Sequence, residues 1–248
     1  MLKSLFNRFR PKEEIEPIDF SGLGADMHSH LIPGVDDGAK TMEESLQLIE
    51  GLHSLGYRKL VTTPHIMSDY YRNTPEIILE GLERVREAVK EKGLDMQIDA
   101  AAEYYIDDGF VKKMEEGPLL TFGNKYLLVE VSYMNAPDSI HSIIFQAQTS
   151  GYRVVLAHPE RYPYWYRDFD QYRKFYDMGV TLQLNLNSLS GYYGPDARHI
   201  AEKLIEEGLI GALGTDMHHT RHLEALQRTT REKLLHSLLE MPMINREL

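Results

Sequence analysis

Past residue 22 the chain alternates short apolar runs with amphipathic stretches. Seven runs carry strand character: 25–28, 59–63, 97–102, 126–131, 153–157, 181–185 and 210–214. The stretches between them have helical periodicity. Leu46, Ile49, Leu52 and Leu55 fall near one helical face, behind a Thr41/Glu44 pair of the capping-box type. A second helix is predicted to open at Pro75 and stop at Gly93. The segments 137–151, 172–179 and 195–208 repeat the design. Strands that each take a helix pair in parallel through crossover connections. Seven such units in 248 residues predict an α/β fold, a TIM-like (β/α) barrel. An open doubly wound sheet is the alternative arrangement of the same elements.

Composition narrows the chemistry. At 42% hydrophobic and 26% charged, the chain reads as globular. No apolar run approaches the ~18 residues of a spanning helix, and no signal-peptide core is visible, so the cytoplasm is the expected location. There is no cysteine, which excludes disulfides, thiolate metal sites and cysteine-based phosphatase chemistry. The net charge of −11 makes nucleic acid a poor partner. Residues 1–20 read as a basic leader, MLKSLFNRFR, and a proline-bounded acidic linker; residues 21–248 read as one catalytic domain. The leader is expected either to associate weakly with a membrane or partner through residues 1–10, or to pack a few apolar side chains on the domain.

The polar residues that follow each run carry the functional signal. The first runs into Asp26-Met-His28-Ser-His30, the second into Thr-Pro-His65, and the third into Glu103. The fourth contains Glu130, the fifth meets His158-Pro-Glu-Arg161, and the sixth reaches Asn185 and Asn187. The seventh ends in Thr-Asp216-Met-His218. In a parallel barrel these ends share one face, where such folds hold their sites. One histidine or acid at a strand end is commonly a hydrogen-bonded structural residue. So many ionisable groups in one place, however, need a compensating charge. With Asp37 from the Val-Asp-Asp-Gly turn, the candidate ligands are His28, His30, Asp37, His65, Glu103, Glu130, His158, Asp216 and His218; spacing does not separate Asp36 from Asp37. A metal needs three or four protein ligands, so this set suits two or three divalent cations such as Zn²⁺, Mn²⁺ or iron.

The stretches DMHSHLIPGVDDGAKTMEES, TTPH, AAEYY, LLVEVS, AHPERY and GTDMHH, in this order, resemble the polymerase-and-histidinol-phosphatase (PHP) family of metal-dependent phosphoesterases. The resemblance covers about residues 24–220 and is strongest to the bacterial tyrosine-phosphatase branch of capsule and exopolysaccharide synthesis, the CpsB/YwqE type. It implies a distorted (β/α)7 PHP barrel with a trinuclear site, Mn²⁺ foremost, and all nine residues as ligands. It also implies Arg161 as the phosphate-binding arginine. The implied substrate is phosphotyrosine on a bacterial tyrosine kinase that controls polysaccharide export. The leader and the residues after about 221 fall outside the matched pattern.

The chemistry follows from the ligand set itself. Closely spaced cations bind phosphate, acidify water and stabilise the leaving oxygen. Arg161 could hold phosphate oxygens as charge develops, or form a rim salt bridge. His218 or a water is the candidate proton donor to the leaving phenolate. Ten tyrosines (70, 71, 104, 105, 133, 162, 164, 166, 192 and 193) and Trp165 follow strand ends and are expected around the mouth. The rival functions are a small-molecule phosphatase such as histidinol-phosphate phosphatase, a nuclease module, and a silent binding barrel.

Overall fold

A computed structural model describes residues 15–248, so the segment 1–14, with most of the expected leader, lies outside the described residues. The strands are β1 (Ala25–Asp26), β2 (Lys59–Thr62), β3 (His65–Ile66), β4 (Gln97–Ala100), β5 (Glu103–Tyr105), β6 (Tyr126–Glu130), β7 (Arg153–Ala157), β8 (Thr181–Asn185) and β9 (Ile210–Gly214). Every ladder between them is parallel. They form two sheets, β1-β2-β4 and β3-β5-β6-β7-β8-β9.

The α/β class and all seven expected strands are present, but the second and third are each split. Pro64 separates β2 from β3; it has no N–H to give a ladder and breaks the pairing there. Ala101 and Ala102 separate β4 from β5 at the same level. At each split the chain passes from the first sheet to the second, and His65 and Glu103 enter the second sheet face to face, as register partners.

Among the described residues eight helices pack outside: α1 (Met42–Ser54), α2 (Pro75–Glu91), α3 (Asp108–Glu116), α4 (Ile140–Thr149), α5 (Asp170–Asp177), α6 (Pro195–Glu206), α7 (Thr220–Thr229) and α8 (Lys233–Glu240). Thr41 caps α1 by accepting from the Glu44 N–H, while the Glu44 carboxylate accepts from Lys40 rather than from Thr41, so the box is displaced by one residue. Pro75 is the first residue of α2, and Gly93 ends it in the left-handed region at φ 69°. Ile78, Leu82, Val85 and Val89 form its buried stripe. Sequence periodicity did not mark α3, α7 or α8. In α3 only Phe110 and Met114 are buried, too few to make a pattern.

A small inner core of Met27, Val61, Ala101, Leu128, Val155, Ala157 and Ala212 fills the barrel, and a larger apolar layer lies under the helices. Phe20, at the end of the expected linker, is fully buried and stacks on Tyr57 at 4.9 Å.

β1 and β9 meet without a ladder between them. At the C-terminal end this seam is closed by the isolated Ser29–Met217 bridge and by the His30 N–H donating to Met217 O (2.9 Å) and the Asp216 N–H to His28 O (2.8 Å). Thr215 adds its N–H and hydroxyl to the Asp26 carboxylate at 2.9 and 2.7 Å. At the opposite end the buried Asn245 amide bridges the strands. Its Nδ2 donates to Ala25 O (2.8 Å) and Leu213 O (2.7 Å), and its Oδ1 accepts from the Leu213 N–H (2.9 Å). Among the described residues no helix is long and apolar enough to cross a membrane.

Candidate metal centre

The parallel order brings the polar strand ends to one mouth. His28 and His30 follow β1, His65 opens β3, Glu103 opens β5, Glu130 closes β6, His158 follows β7, and Asp216 and His218 follow β9. Asp37 arrives from the turn before α1. All nine candidates fall into four overlapping groups: His30/Asp37/His65/His218, His28/His30/Asp216, His28/Glu103/His158 and His65/Glu103/Glu130. Within each group the donor atoms lie inside 4.8 Å of one another.

Two glycines permit this crowding. A Cβ at Gly38 would stand 2.2 Å from the His30 carbonyl oxygen, and one at Gly214 would stand 2.7 Å from the His28 Cβ. Two site residues also hold uncommon backbone angles: His158 at φ 32° and Asp216 at φ 49°. Left-handed conformations in non-glycine residues concentrate where geometry is imposed by function.

Hydrogen bonds decide which atoms face the centre. The Gln183 oxygen accepts the His158 backbone N–H (3.3 Å), which can only donate, so that end of the amide is the carbonyl. The same oxygen lies 2.8 Å from His28 Nδ1, which must therefore donate, leaving Nε2 with its lone pair. His30 Nδ1 likewise donates to the buried Asp36 at 2.8 Å. The two free Nε2 atoms then face each other at 3.3 Å. Glu103 Oε2 lies 3.1 Å from the first and 3.3 Å from the second. Asp216 Oδ1 is 3.4 Å from both. Glu103 Oε1 meets His158 Nε2 at 3.1 Å, and Glu130 Oε1 meets His65 Nδ1 at 3.0 Å.

Acceptors aimed at acceptors repel unless positive charge stands between them. Atoms that ligate one cation at ~2.0–2.2 Å lie ~3.0–3.6 Å apart, the spacing seen here. The buried His158 Nδ1 also has no hydrogen-bond partner, and His65 Nδ1 faces the Glu103 and Glu130 carboxylates as an ion pair rather than as an aligned hydrogen bond. The donor set and its orphaned nitrogen therefore fit divalent cations. Without them, protons supply the charge. Burial pushes the His30 imidazolium down, but Asp36, with Asp216 and Glu103, lifts its pKa well above the usual range. Burial likewise opposes protonation of His65, yet Glu103 and Glu130 raise it to about 9. Burial alone would raise Glu103, but His28 and His65 hold it well below an ordinary carboxylate. A bound cation displaces such protons.

The two aspartates of the turn separate clearly. Asp36 accepts from His30 Nδ1, Gly38 N–H (2.9 Å) and His65 N–H (3.1 Å), so it orients two imidazole-bearing segments from behind. Asp37 is the half-exposed one, with Oδ1 3.4 Å from His65 Nε2 and 3.5 Å from His218 Nε2. His218 Nδ1 sits 2.9 Å from the Asp216 carbonyl and donates to it, which turns the Nε2 lone pair toward Asp37 and the centre.

Arg161 closes one side. Its Nη1 donates to Asp216 Oδ2 at 2.6 Å, and its guanidinium lies between the rings of Tyr133 (5.1 Å) and Tyr193 (4.1 Å). The salt bridge expected as its alternative role is thus formed, at the edge of the centre. Asn185 Nδ2 donates to the same Asp216 oxygen (3.0 Å) and to Tyr193 Oη (3.1 Å). Sequence reading named Asn185 without a role and passed over Gln183. The signal was present: two amides, two apart, inside the strand Thr-Leu-Gln-Leu-Asn must share its inner face.

The mouth is a cavity of about 380 Å³ walled by Tyr71, Tyr105, Tyr133 and Tyr193 around the ligand set. The other aromatics divide. Tyr104, Tyr162 and Trp165, expected at the mouth, are core residues instead. Tyr162 and Trp165 pack edge-to-face at 5.2 Å, and the Tyr162 hydroxyl accepts from the Val131 N–H. The run RYPYWYRD folds into two 3₁₀ turns, which turn alternate rings inward.

A parallel α/β barrel with clustered imidazoles and carboxylates at its C-terminal mouth is the architecture of a metal-dependent hydrolase. Residues 24–235 match the model of the CpsB/CapC family of capsular polysaccharide synthesis, and the chain belongs to that family. The tyrosine-protein phosphatase CpsB of Streptococcus pneumoniae is 30% identical over 200 residues, covering 78% of this chain and 82% of that protein. The tyrosine-protein phosphatase YwqE of Bacillus subtilis (strain 168) is 24% identical over 197 residues, 79% of this chain and 78% of that one. A crystal structure from a study of YwqE and CpsB, described there as unique metal-dependent tyrosine phosphatases, superposes with a TM-score of 0.78 at 23% identity, over 90% of this chain and 95% of its own. That likeness establishes the barrel.

Proposed function

We propose that the protein is a metal-dependent, cysteine-independent phosphotyrosine phosphatase that acts on protein, with the tail of a bacterial tyrosine kinase controlling capsule or exopolysaccharide synthesis as its substrate. The observation that carries the chemistry is the set of mutually facing acceptors whose tautomers Gln183 and Asp36 fix. The family and its curated relatives support the substrate class.

In this reading His28, His30, Asp37, His65, Glu103, Glu130, His158, Asp216 and His218 hold two or three divalent cations, Mn²⁺ foremost and iron or Zn²⁺ as alternatives. When bound, the cations supply Lewis acidity and an acidified water. The protein does the rest. Gln183 and Asp36 lock the imidazoles in their ligating tautomer. Arg161, held between two rings and braced by Asp216, presents its remaining N–H donors to phosphate oxygens as negative charge grows. His218, with its Nδ1 proton on a carbonyl, turns Nε2 to the centre, where it serves as a ligand or as the proton donor to the leaving phenolate. Loss of phenolate does not require a strong acid, because its pKa is near 10. Tyr71, Tyr105, Tyr133 and Tyr193 take the substrate ring. The reading places the enzyme in the cytoplasm, with no nucleic-acid partner.

The test measures phosphate release from a phosphotyrosyl peptide and from histidinol phosphate, with added Mn²⁺ and after chelation. Turnover of the peptide that disappears on chelation and returns with metal is expected. Preference for histidinol phosphate would select the small-molecule alternative, and full turnover after exhaustive chelation would reject the metal chemistry.

A further inference from the structure

Behind Arg161 lies a second cavity, of about 230 Å³, lined by Tyr133, Arg161, Tyr166, Tyr193 and Ala197. It shares Tyr133, Arg161 and Tyr193 with the mouth of the centre, so the two concavities are continuous around one guanidinium. Its far wall is Tyr166, from the turn after β7, and Ala197, in the first turn of α6. Neither Tyr166 nor Ala197 lines the mouth of the centre itself. A chain that carries its phosphotyrosine into the mouth can lie across the second cavity, because the two cavities share Tyr133, Arg161 and Tyr193.

From this continuity we infer that the cavity is a specificity subsite for a side chain flanking the phosphotyrosine in the substrate, and that its occupant is aromatic. The inference rests on the phosphotyrosyl reading above. The walls set the chemistry. Three phenol rings and one methyl offer stacking and edge-to-face contacts to a flat ring. An acidic side chain gains little, because Arg161 is already paired with Asp216 and phenol faces repel anions. A basic side chain would compete with Arg161 for the Tyr133 and Tyr193 faces, which the guanidinium already covers. Room is kept by Ala197: a larger residue at that buried position would fill the cavity from α6 without touching the ligand cluster.

The experiment compares kcat/KM for four phosphotyrosyl peptides that differ only in the flanking residues, Phe, Ala, Lys or Glu, with a small aryl phosphate as reference. Wild-type Mn²⁺-loaded enzyme, Ala197→Leu and Tyr166→Ala are measured, each with a melting curve. A preference of about 10-fold for the Phe peptide over the Ala peptide is expected in wild type, on the scale of one buried aromatic anchor. Both variants should bring that ratio close to one while the small aryl phosphate is turned over as before. Tyr166→Ala keeps the test open should Ala197→Leu fold poorly, because it empties the wall rather than filling it. Equal rates on all four peptides, a preference for Lys or Glu, or a Phe preference that survives both variants overturns the subsite. If wild type releases phosphate from the small aryl phosphate but from no peptide, the protein-substrate reading falls, and the subsite with it. Silence on every substrate removes the phosphatase reading itself.

Discussion

The two ends of the β1–β9 seam are both buried, both polar and built from the same strands, yet they obey opposite rules. At the lower end Asn245 makes three hydrogen bonds, with each donor matched to an acceptor. At the upper end His28 Nε2, His30 Nε2, Glu103 Oε2 and Asp216 Oδ1 crowd within 3.1–3.4 Å with acceptor facing acceptor. A buried polar group that is fully satisfied holds a fold together. A buried group of acceptors that cannot satisfy one another implies positive charge from elsewhere. The seam therefore contains its own control: equal burial, one end closed by hydrogen bonds and the other a candidate for cations.

The comparison breaks most severely if the upper end is dismantled. His28→Ala and Asp216→Ala should each remove nearly all phosphatase turnover and lower the metal content measured by elemental analysis, because each belongs to more than one ligand group or contact within the cluster. Either variant retaining wild-type metal content and rate would return these residues to a structural role. Arg161→Ala should cost a factor on the order of 10²–10³ in kcat/KM, comparable to losing an oxyanion donor, with metal content unchanged. Arg161→Lys should recover only part, since one ammonium does not replace a planar fork. Wild-type kinetics in Arg161→Ala would leave only the Asp216 salt bridge.

At the lower end the expected effect is on stability alone. Asn245→Ala strands the Leu213 N–H and two carbonyls, which should destabilise the fold by about 2–4 kcal/mol. That is a drop of roughly 5–12 °C in Tm for a domain of this size. Turnover per folded molecule should not change; a loss of metal in this variant would mean that the two ends are coupled. The smallest effect sharpens the upper end without touching a ligand. Gln183→Leu removes the acceptor that fixes the His28 tautomer and should weaken metal affinity by ~10–100-fold. Titration of the metal-free protein with Mn²⁺ reads this directly, and an unchanged affinity would show that His28 needs no brace.

The same physical division explains what could be read from the chain alone. Apolar runs of four to six residues separated by helical periodicity are local signals, and they yielded the parallel α/β order and the helices headed by Thr41, Pro75 and Pro195. Because parallel strands bring all their C-terminal ends to one face, eight of the nine candidate ligands followed from where each stood at the end of its strand, and Asp37 was added from the turn before α1. The splits at Pro64 and Ala101–Ala102 were missed, since a strand that changes partners keeps its apolar pattern. The seam brace at Asn245 was missed because its partners, Ala25 and Leu213, lie 220 and 32 residues away.

The sequence by itself determined the fold class, the absence of thiol chemistry and the set of metal-binding candidates, because residue type and strand order fix these. Only the tertiary structure distinguished Asp36, which braces His30, from Asp37, which faces the mouth, because adjacent residues in a turn differ only in where the turn points them. Only it separated Tyr133 and Tyr193 at Arg161 from Tyr162 and Trp165 in the core. A loop has no period from which inside and outside can be counted; its side chains are sorted by the surfaces on which the folded chain lays them.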